Sequence, residues 1–295
     1  MVILLALDFV DILEGGLEMA DVFKVLDLEK RFLITPDNAL AYADKIGDFM
    51  RKTVVDAGMD GYVLGLSGGL DSAVAAYLCK RADIELYPLM MPYGHTMQTS
   101  GSERRAHSVV TGLGLEDRLV TIDIGPACEG ADLRRQTYLK KFPNLHPNAE
   151  ISLRLASENR RARQRMIELY DFAQAHNLLV LGTGNLDEYC LGYFTKHGDG
   201  ASDVEPLLFC LKREVRLVGG AIGVAKDILT CAPSAELSDG QTDELDLGFG
   251  YDAFDDFAIT GTSGSQEIDQ KIRQLWQASR HKRKMPPAFN GLMAS

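Results

Sequence analysis

The chain has 295 residues, of which 46% are hydrophobic and 25% charged, with a formal net charge of −11. That size and composition suit a soluble globular protein of one large or two small domains, and the acidic balance excludes a general attraction to nucleic acid or an anionic membrane. A polyanionic ligand would have to be held by a local basic pocket. The five cysteines (Cys79, Cys128, Cys190, Cys210, Cys231) form no C-x-x-C pair and no zinc spacing, which fits reduced thiols in a cytoplasmic protein. No apolar run is long enough to span a bilayer.

Residues 1–34 are set apart as an N-terminal extension. They are apolar at first, but Asp8 and Asp11 and the lack of a basic lead speak against a signal peptide. Residues 35–295 are expected to form a single domain. Thr35-Pro36 reads as the cap and first position of a helix that ends at Gly58. Tyr62–Leu66 reads as a strand, followed by a serine- and glycine-rich turn and a helix through Cys79. A second strand over Glu85–Met91 stops at Pro92. A helix over Glu103–Leu113 and a strand over Leu119–Ile124 come next, then a long Arg- and Ala-rich helix from about Ala149 to His176. Leu178–Leu181 is a fourth apolar strand, again ending in glycine. From Lys212 the chain reads as mainly helical, with loops near Pro233–Gly248 and Thr260–Gly264. The last helix places Ile268, Ile272, Leu275 and Trp276 on its apolar side. Strands alternating with helices predict an α/β fold, a doubly wound parallel sheet with helices on both faces, whose ligands sit beyond the carboxyl ends of the strands.

The turn after the first strand, "LGLSGGLDSAVAAYL", admits two readings. Gly65-Leu66-Ser67-Gly68-Gly69 fits the hydrolase elbow G-x-S-x-G, but no oxyanion loop of the H-G-G-G kind precedes it, and Asp71 has no use there. The same residues fit an anion cradle. Gly68 and Gly69 let backbone N–H groups approach phosphate closely, Ser67 and Ser72 supply hydroxyls, and the following helix adds its N-terminal dipole. Asp71 would repel phosphate unless a cation lies between, which makes it a sensible Mg²⁺ ligand. Neither G-x-x-x-x-G-K-[ST] nor G-x-G-x-x-G occurs.

"SGGLDS" resembles the signature of the N-type ATP pyrophosphatases, which cleave ATP between its α- and β-phosphates and form adenylates. Further along, "ENRRARQRM", "LVLGTGNLDEYCLGYFTKHGDGASDVEPLLFCLKREV", "APSAELSDGQTDELDLGFGYDAFDD" and "HKRKMPP" are similar, in order, to the ammonia-dependent NAD⁺ synthetase family. The resemblance spans roughly Thr35 to Pro287 and implies the adenine nucleotide α-hydrolase-like version of the fold. It implies that Gly65, Leu66, Ser67, Gly68, Gly69, Leu70, Ser72, Thr183, Lys212 and Ser234 bind ATP, and that Arg163, Lys196, Asp203, His281 and Lys282 bind the dinucleotide. Glu188, beyond the second glycine turn, is expected to join Asp71 as a Mg²⁺ ligand on the same rim. Cations at these positions suit an anionic dinucleotide, and Lys212 suits developing phosphate charge. Without the resemblance, Arg163 would read as part of a solvated Arg-rich face. Two readings stand for Asp199 in "GDG": a group that deprotonates incoming ammonium, or an aspartate that stabilises the turn. "YDAFDDF" reads as a packed helix without a catalytic part. Leu186 departs from the family, which carries a polar residue there, often Lys. Glu236 and Asp239 stand where small or apolar residues are common.

The resemblance therefore implies ATP-dependent adenylation of deamido-NAD⁺ and amidation by ammonia, with Asp71, Lys212 and Asp199 as the candidate catalytic residues. It further implies a cytoplasmic homodimer with no fused glutaminase domain. The alternatives are a diverged relative that amidates another carboxylate and a non-catalytic ATP-binding module.

Overall fold

The computed structural model describes residues 33–94, 101–142, 149–231 and 243–286. The N-terminal extension, Leu33 and Ile34 excepted, lies outside them. The described residues group into two compact units: a larger one of residues 34–186 and 194–250, and a smaller one to which residues 187–193 and 251–286 belong.

Helix α1 (Ala39–Ala57) opens the larger unit. It starts later than Thr35-Pro36 predicts: residues 36–38 form a turn, in which the Asn38 side chain accepts from the Thr35 N–H at 2.8 Å. Gly58, at φ +65°, closes the helix as expected. Strands β1 (Tyr62–Gly65) and β2 (Leu86–Met90) follow the apolar runs, with α2 (Leu70–Arg81) between them. Helix α3 (Gly101–Leu113) leads to β3, which keeps only Val120–Thr121 of the longer strand expected. Helix α4 (Gly125–Lys141) has no sequence-based counterpart, because its apolar residues follow no helical stripe. Helix α5 (Ala149–Ala175) and strand β4 (Leu179–Leu181) match expectation closely. After α6 (Leu186–Leu191) come α7 (Lys212–Ala221), α8 (Lys226–Leu229) and α9 (Asp243–Leu247), the last inside a stretch expected to be loop.

The four strands are all parallel, in the order β3-β2-β1-β4. Side chains alternate across the sheet. Tyr62, Leu64, Leu86 and Leu181 face one core together with Met50, Ala73, Leu78 and Val215 from α1, α2 and α7. Val63, Leu89 and Val180 face another with Met166, Leu169 and Ala173 of α5. Helices therefore cover both faces, as a parallel sheet requires. Helix α2 is buried nearly all round and packs against α1, α3 and α7. Its Ala73, Ala75 and Ala76 let these neighbours close in, which fixes its N-terminus against the end of β1. Because the chain leaves β1 toward β2 on one side and β4 on the other, the order reverses at the β1/β4 pair, the position where such sheets open a ligand crevice.

The smaller unit holds α10 (Tyr251–Thr260), α11 (Gln266–Ala278) and a 3₁₀ turn over Arg280–Lys282. Tyr251, Phe254 and Phe257 are buried, so "YDAFDDF" packs as expected. On α11 Ile272 and Trp276 are buried, while Ile268 and Leu275 are only half-buried.

Candidate functional site

Leu64 pairs with Leu181, so the glycine turns after β1 and β4 leave the sheet side by side at its carboxyl edge. In the first turn Gly68 has φ +81°, and a Cβ there would lie 2.0 Å from the carbonyl oxygen of Ser102. Only glycine meets both demands. The Ser67 hydroxyl accepts from the Gly69 N–H at 3.2 Å and lies 3.1 Å from the Ser72 hydroxyl, which in turn donates to the Gly69 carbonyl. Gly69 caps α2 without a capping side chain. The helix thus presents its first turn and two neighbouring hydroxyls at one point, the arrangement that receives an anion.

Asp71 and Lys212, 141 residues apart, meet here. The Lys212 ammonium is 2.5 Å from Asp71 Oδ2, with the two side chains 3% and 16% exposed. Asn185, fully buried in the second glycine turn, donates to Asp71 Oδ1 at 3.2 Å. Lys212 reaches this position because it is the first residue of α7, directly after the N-cap Leu211. Glu214, buried in the first turn of that helix, accepts from the Leu211 N–H at 2.8 Å and from the Ile34 N–H at 2.9 Å, which pins the helix start. An ionised carboxylate has about four lone-pair sites, so the two donors leave Asp71 able to ligate a hard cation. The donor set fits Mg²⁺, which takes one or two carboxylates and completes its shell with phosphate and water.

The candidate dinucleotide residues of the larger unit gather on the α5 side. Arg163 Nε donates to the Lys196 carbonyl at 3.2 Å. The arginines that flank it also have fixed partners: Arg160 lies 3.2 Å from Asp132, Arg161 stacks 3.9 Å from the Tyr93 ring, and Arg165 donates to the Met91 carbonyl at 3.0 Å. The stretch is a structured basic face rather than a loosely solvated one. Asp203 accepts from the Val180 N–H at 2.8 Å and from the Tyr170 hydroxyl at 3.3 Å. Burial first, and then Asp203, push the Tyr170 hydroxyl up to about 12. Asp199 accepts from the Thr195 N–H at 2.9 Å, the geometry of a turn-stabilising aspartate. Thr183 is half-buried in the second glycine turn.

Glu188, His281 and Lys282 belong to the smaller unit. There Lys282 donates to the Gly192 carbonyl at 2.7 Å, and His281 is exposed. Arg283 donates to the carbonyls of Tyr189 and Cys190 and lies 3.9 Å from the Trp276 ring, so it ties the 3₁₀ turn to the segment that carries Glu188. Ser234, Glu236 and Asp239 lie outside the described residues. Leu186 is buried in the core, its N–H bonded to the Cys210 carbonyl, so its departure from a polar residue fills apolar space.

Three residues of the site have no counterpart in the sequence reading. Asn185 orients Asp71. Arg105 donates to the Gly68 carbonyl at 2.9 Å and to Ser102, holding the first turn from α3. Glu205 lies under the second turn, where burial pushes its carboxyl up to about 7. Asn185 alone carried a signal, as the polar residue that closes "GTGN".

The NAD synthase family model matches residues 42–286. An NH₃-dependent NAD⁺ synthetase of Archaeoglobus fulgidus is 38% identical over 83% of this chain and 94% of that protein. One from Mesoplasma florum is 35% identical over 82% and 93%. Among solved structures, an NMN synthetase from Francisella tularensis superposes with a TM-score of 0.74 at 34% identity, covering 87% of this chain and 99% of that one.

Proposed function

The chain belongs to the NAD synthase family, and on that premise we propose that it is an ammonia-dependent NAD⁺ synthetase, a ligase that makes a C–N bond as ATP is cleaved to AMP and pyrophosphate. The nicotinate carboxylate of deamido-NAD⁺ attacks the α-phosphorus of ATP, and pyrophosphate leaves with the electrons of the α–β bridging bond. Ammonia then attacks the acyl carbon of the mixed anhydride. AMP departs with the C–O bonding pair, the nitrogen gives up a proton, and the amide of NAD⁺ remains. No side chain has to serve as nucleophile, so the protein's work is positioning and charge stabilisation.

The observation that carries this reading is the first glycine turn, with its helix N-terminus, paired serine hydroxyls and the Asp71–Lys212 pair at one rim. Ser67, Ser72 and the turn amides bind the leaving pyrophosphate. Lys212 offers a desolvated positive charge to the phosphates. Mg²⁺, held by Asp71 with Glu188 as the second proposed ligand, would neutralise charge on the triphosphate. Thr183 and Ser234 complete the ATP contacts, and Arg163, Lys196, Asp203, His281 and Lys282 the dinucleotide contacts. Asp199 in this reading shapes its turn, and proton removal from ammonium stays with the solvent. The proposed assembly is a homodimer. Support comes from the large apolar side chains that α4 and α5 leave exposed, among them Leu133, Tyr138, Leu155 and Ile167. Among the described residues no helix is long and apolar enough to cross a membrane.

Incubation with deamido-NAD⁺, Mg-ATP and ammonium should yield NAD⁺, AMP and pyrophosphate in equal amounts, and Asp71→Asn should lower the rate at least a hundredfold. Absence of AMP, or full activity in Asp71→Asn, would overturn the reading. Nicotinate mononucleotide belongs in the same assay because the Francisella neighbour is an NMN synthetase. Preferential amidation of the mononucleotide would reassign the acceptor and leave the ATP chemistry in place.

A further inference from the structure

Gly182 and Gly184 bracket Thr183 in the turn after β4, and the space beneath them is filled by a carboxylate from the same unit. A Cβ on Gly182 would lie 2.1 to 2.5 Å from the two oxygens and carboxyl carbon of Glu205. The Gly184 N–H donates to Glu205 Oε2 at 3.0 Å, and the Ser202 hydroxyl donates to Oε1 at 2.6 Å. The residue after Gly184 is Asn185, whose amide holds Asp71. A glycine turn whose Gly184 N–H points inward would otherwise be open to an anion. Here the Glu205 carboxyl group already occupies it.

We propose that Glu205 is a positioning residue whose ionisation orders the second glycine turn, setting Thr183 and Asn185 for ATP. The proposal rests on the reading of this rim as the ATP site. As a carboxylate, Glu205 accepts two charge-assisted hydrogen bonds and fixes the Gly184 peptide. As a neutral acid it loses that assistance, and the turn that carries Thr183 loosens. Burial opposes the ionised form, the Ser202 and Gly184 donors favour it, and the nearby Asp199 charge opposes it, which leaves the change of state near pH 7. The other titratable groups around it are Tyr170, which interacts with both Glu205 and Asp203, and Asp203 itself, bonded to β4. Tyr170 stays protonated across that range, so Glu205 is the group of this cluster that burial brings to change state near neutrality.

The test follows the Gly184 amide by nuclear magnetic resonance and ATP affinity by calorimetry, from pH 5.5 to 8.5, on the full chain. In wild type the Gly184 resonance should titrate with a midpoint near 7, and ATP should bind on the order of tenfold more tightly at the high-pH end, as expected for charge-assisted hydrogen bonds. ATP's own phosphate titrates in this range, so the decisive comparison is with Glu205→Gln. Gln keeps an acceptor for Gly184 and cannot ionise. It should remove the Gly184 transition and the wild-type excess in pH dependence, yet bind ATP better than Glu205→Ala at every pH. An unchanged profile in Glu205→Gln, or wild-type affinity in Glu205→Ala, would overturn the proposal. Loss of NAD⁺ formation in wild type would instead strike at the enzymatic reading, because the amide titration does not depend on turnover.

Discussion

At the scale of single residues, the Asp71–Lys212 pair is the feature with the largest stake. Both groups have left most of their water, and a pair of this kind is costly to break from one side because the remaining charge is stranded. Lys212→Met should abolish amidation and lower stability by about 3 kcal/mol. The Asp71→Asn/Lys212→Met double variant should recover much of that stability while staying inactive. Chemical denaturation of the four proteins measures the coupling. Glu205 makes the opposite kind of prediction. Its folded value of about 7 lies above the unfolded 4.5, so between those values the native state binds more protons than the unfolded chain. Stability from this group is intact below pH 4.5, falls as pH rises through the window, and is lowest above 7. Glu205→Gln should therefore raise the melting temperature at pH 8, on the order of 1–3 kcal/mol in free energy, and change it little at pH 5. A group kept at a cost to stability is one whose retention calls for a functional reason.

At the scale of elements, the two glycine turns depend on backbone conformation as much as on side chains. Gly68→Ala would place a methyl group into the Ser102 carbonyl and force an unfavourable φ. It should cost at least 1–3 kcal/mol and weaken ATP binding, with the α2 N-terminus displaced. Gly58→Ala, at φ +65° but with open space around it, should cost only about 1 kcal/mol and leave nucleotide affinity untouched. The contrast separates a turn that is crowded for function from one that merely ends a helix. These turns were legible in the sequence because their signal is local: an apolar strand, glycines, then helix-forming residues. Helix α4 was not legible, since Gly125-Pro126 reads as a break and its buried residues, Gly125, Cys128 and Arg135, are too few to set an apolar period. The apolar Ile122 and Ile124 predict a longer β3, yet they bond to β2 and the segment after it as single contacts beyond the two-residue ladder.

At the scale of the whole molecule, what the sequence could not convey is which distant residues meet. The motifs identified Asp71 and Lys212 separately. Their contact, the Asn185 bridge and the Glu205 support depend on β1 and β4 being neighbours, a fact of sheet order and not of any local pattern. The same holds for Arg105, whose helix returns to the first turn from 37 residues away. A net charge of −11 sharpens the point, because an anionic substrate must be met by cations gathered through folding. The arginines of α5 are gathered in this way, and the exposed apolar residues of α4 and α5 lie on the same two packed helices. A self-association surface there would enclose the Arg163–Lys196 contact and raise the local positive potential around the dinucleotide. Sedimentation should give a particle of twice the 32.4 kDa chain mass. The Leu133→Asp/Ile167→Asp variant should shift it to a monomer and raise the KM for deamido-NAD⁺ at least tenfold, while affinity for ATP, proposed to bind at the rim of β1 and β4, changes little. A monomeric wild type, or a dimer that persists unchanged in the variant, would refute this arrangement.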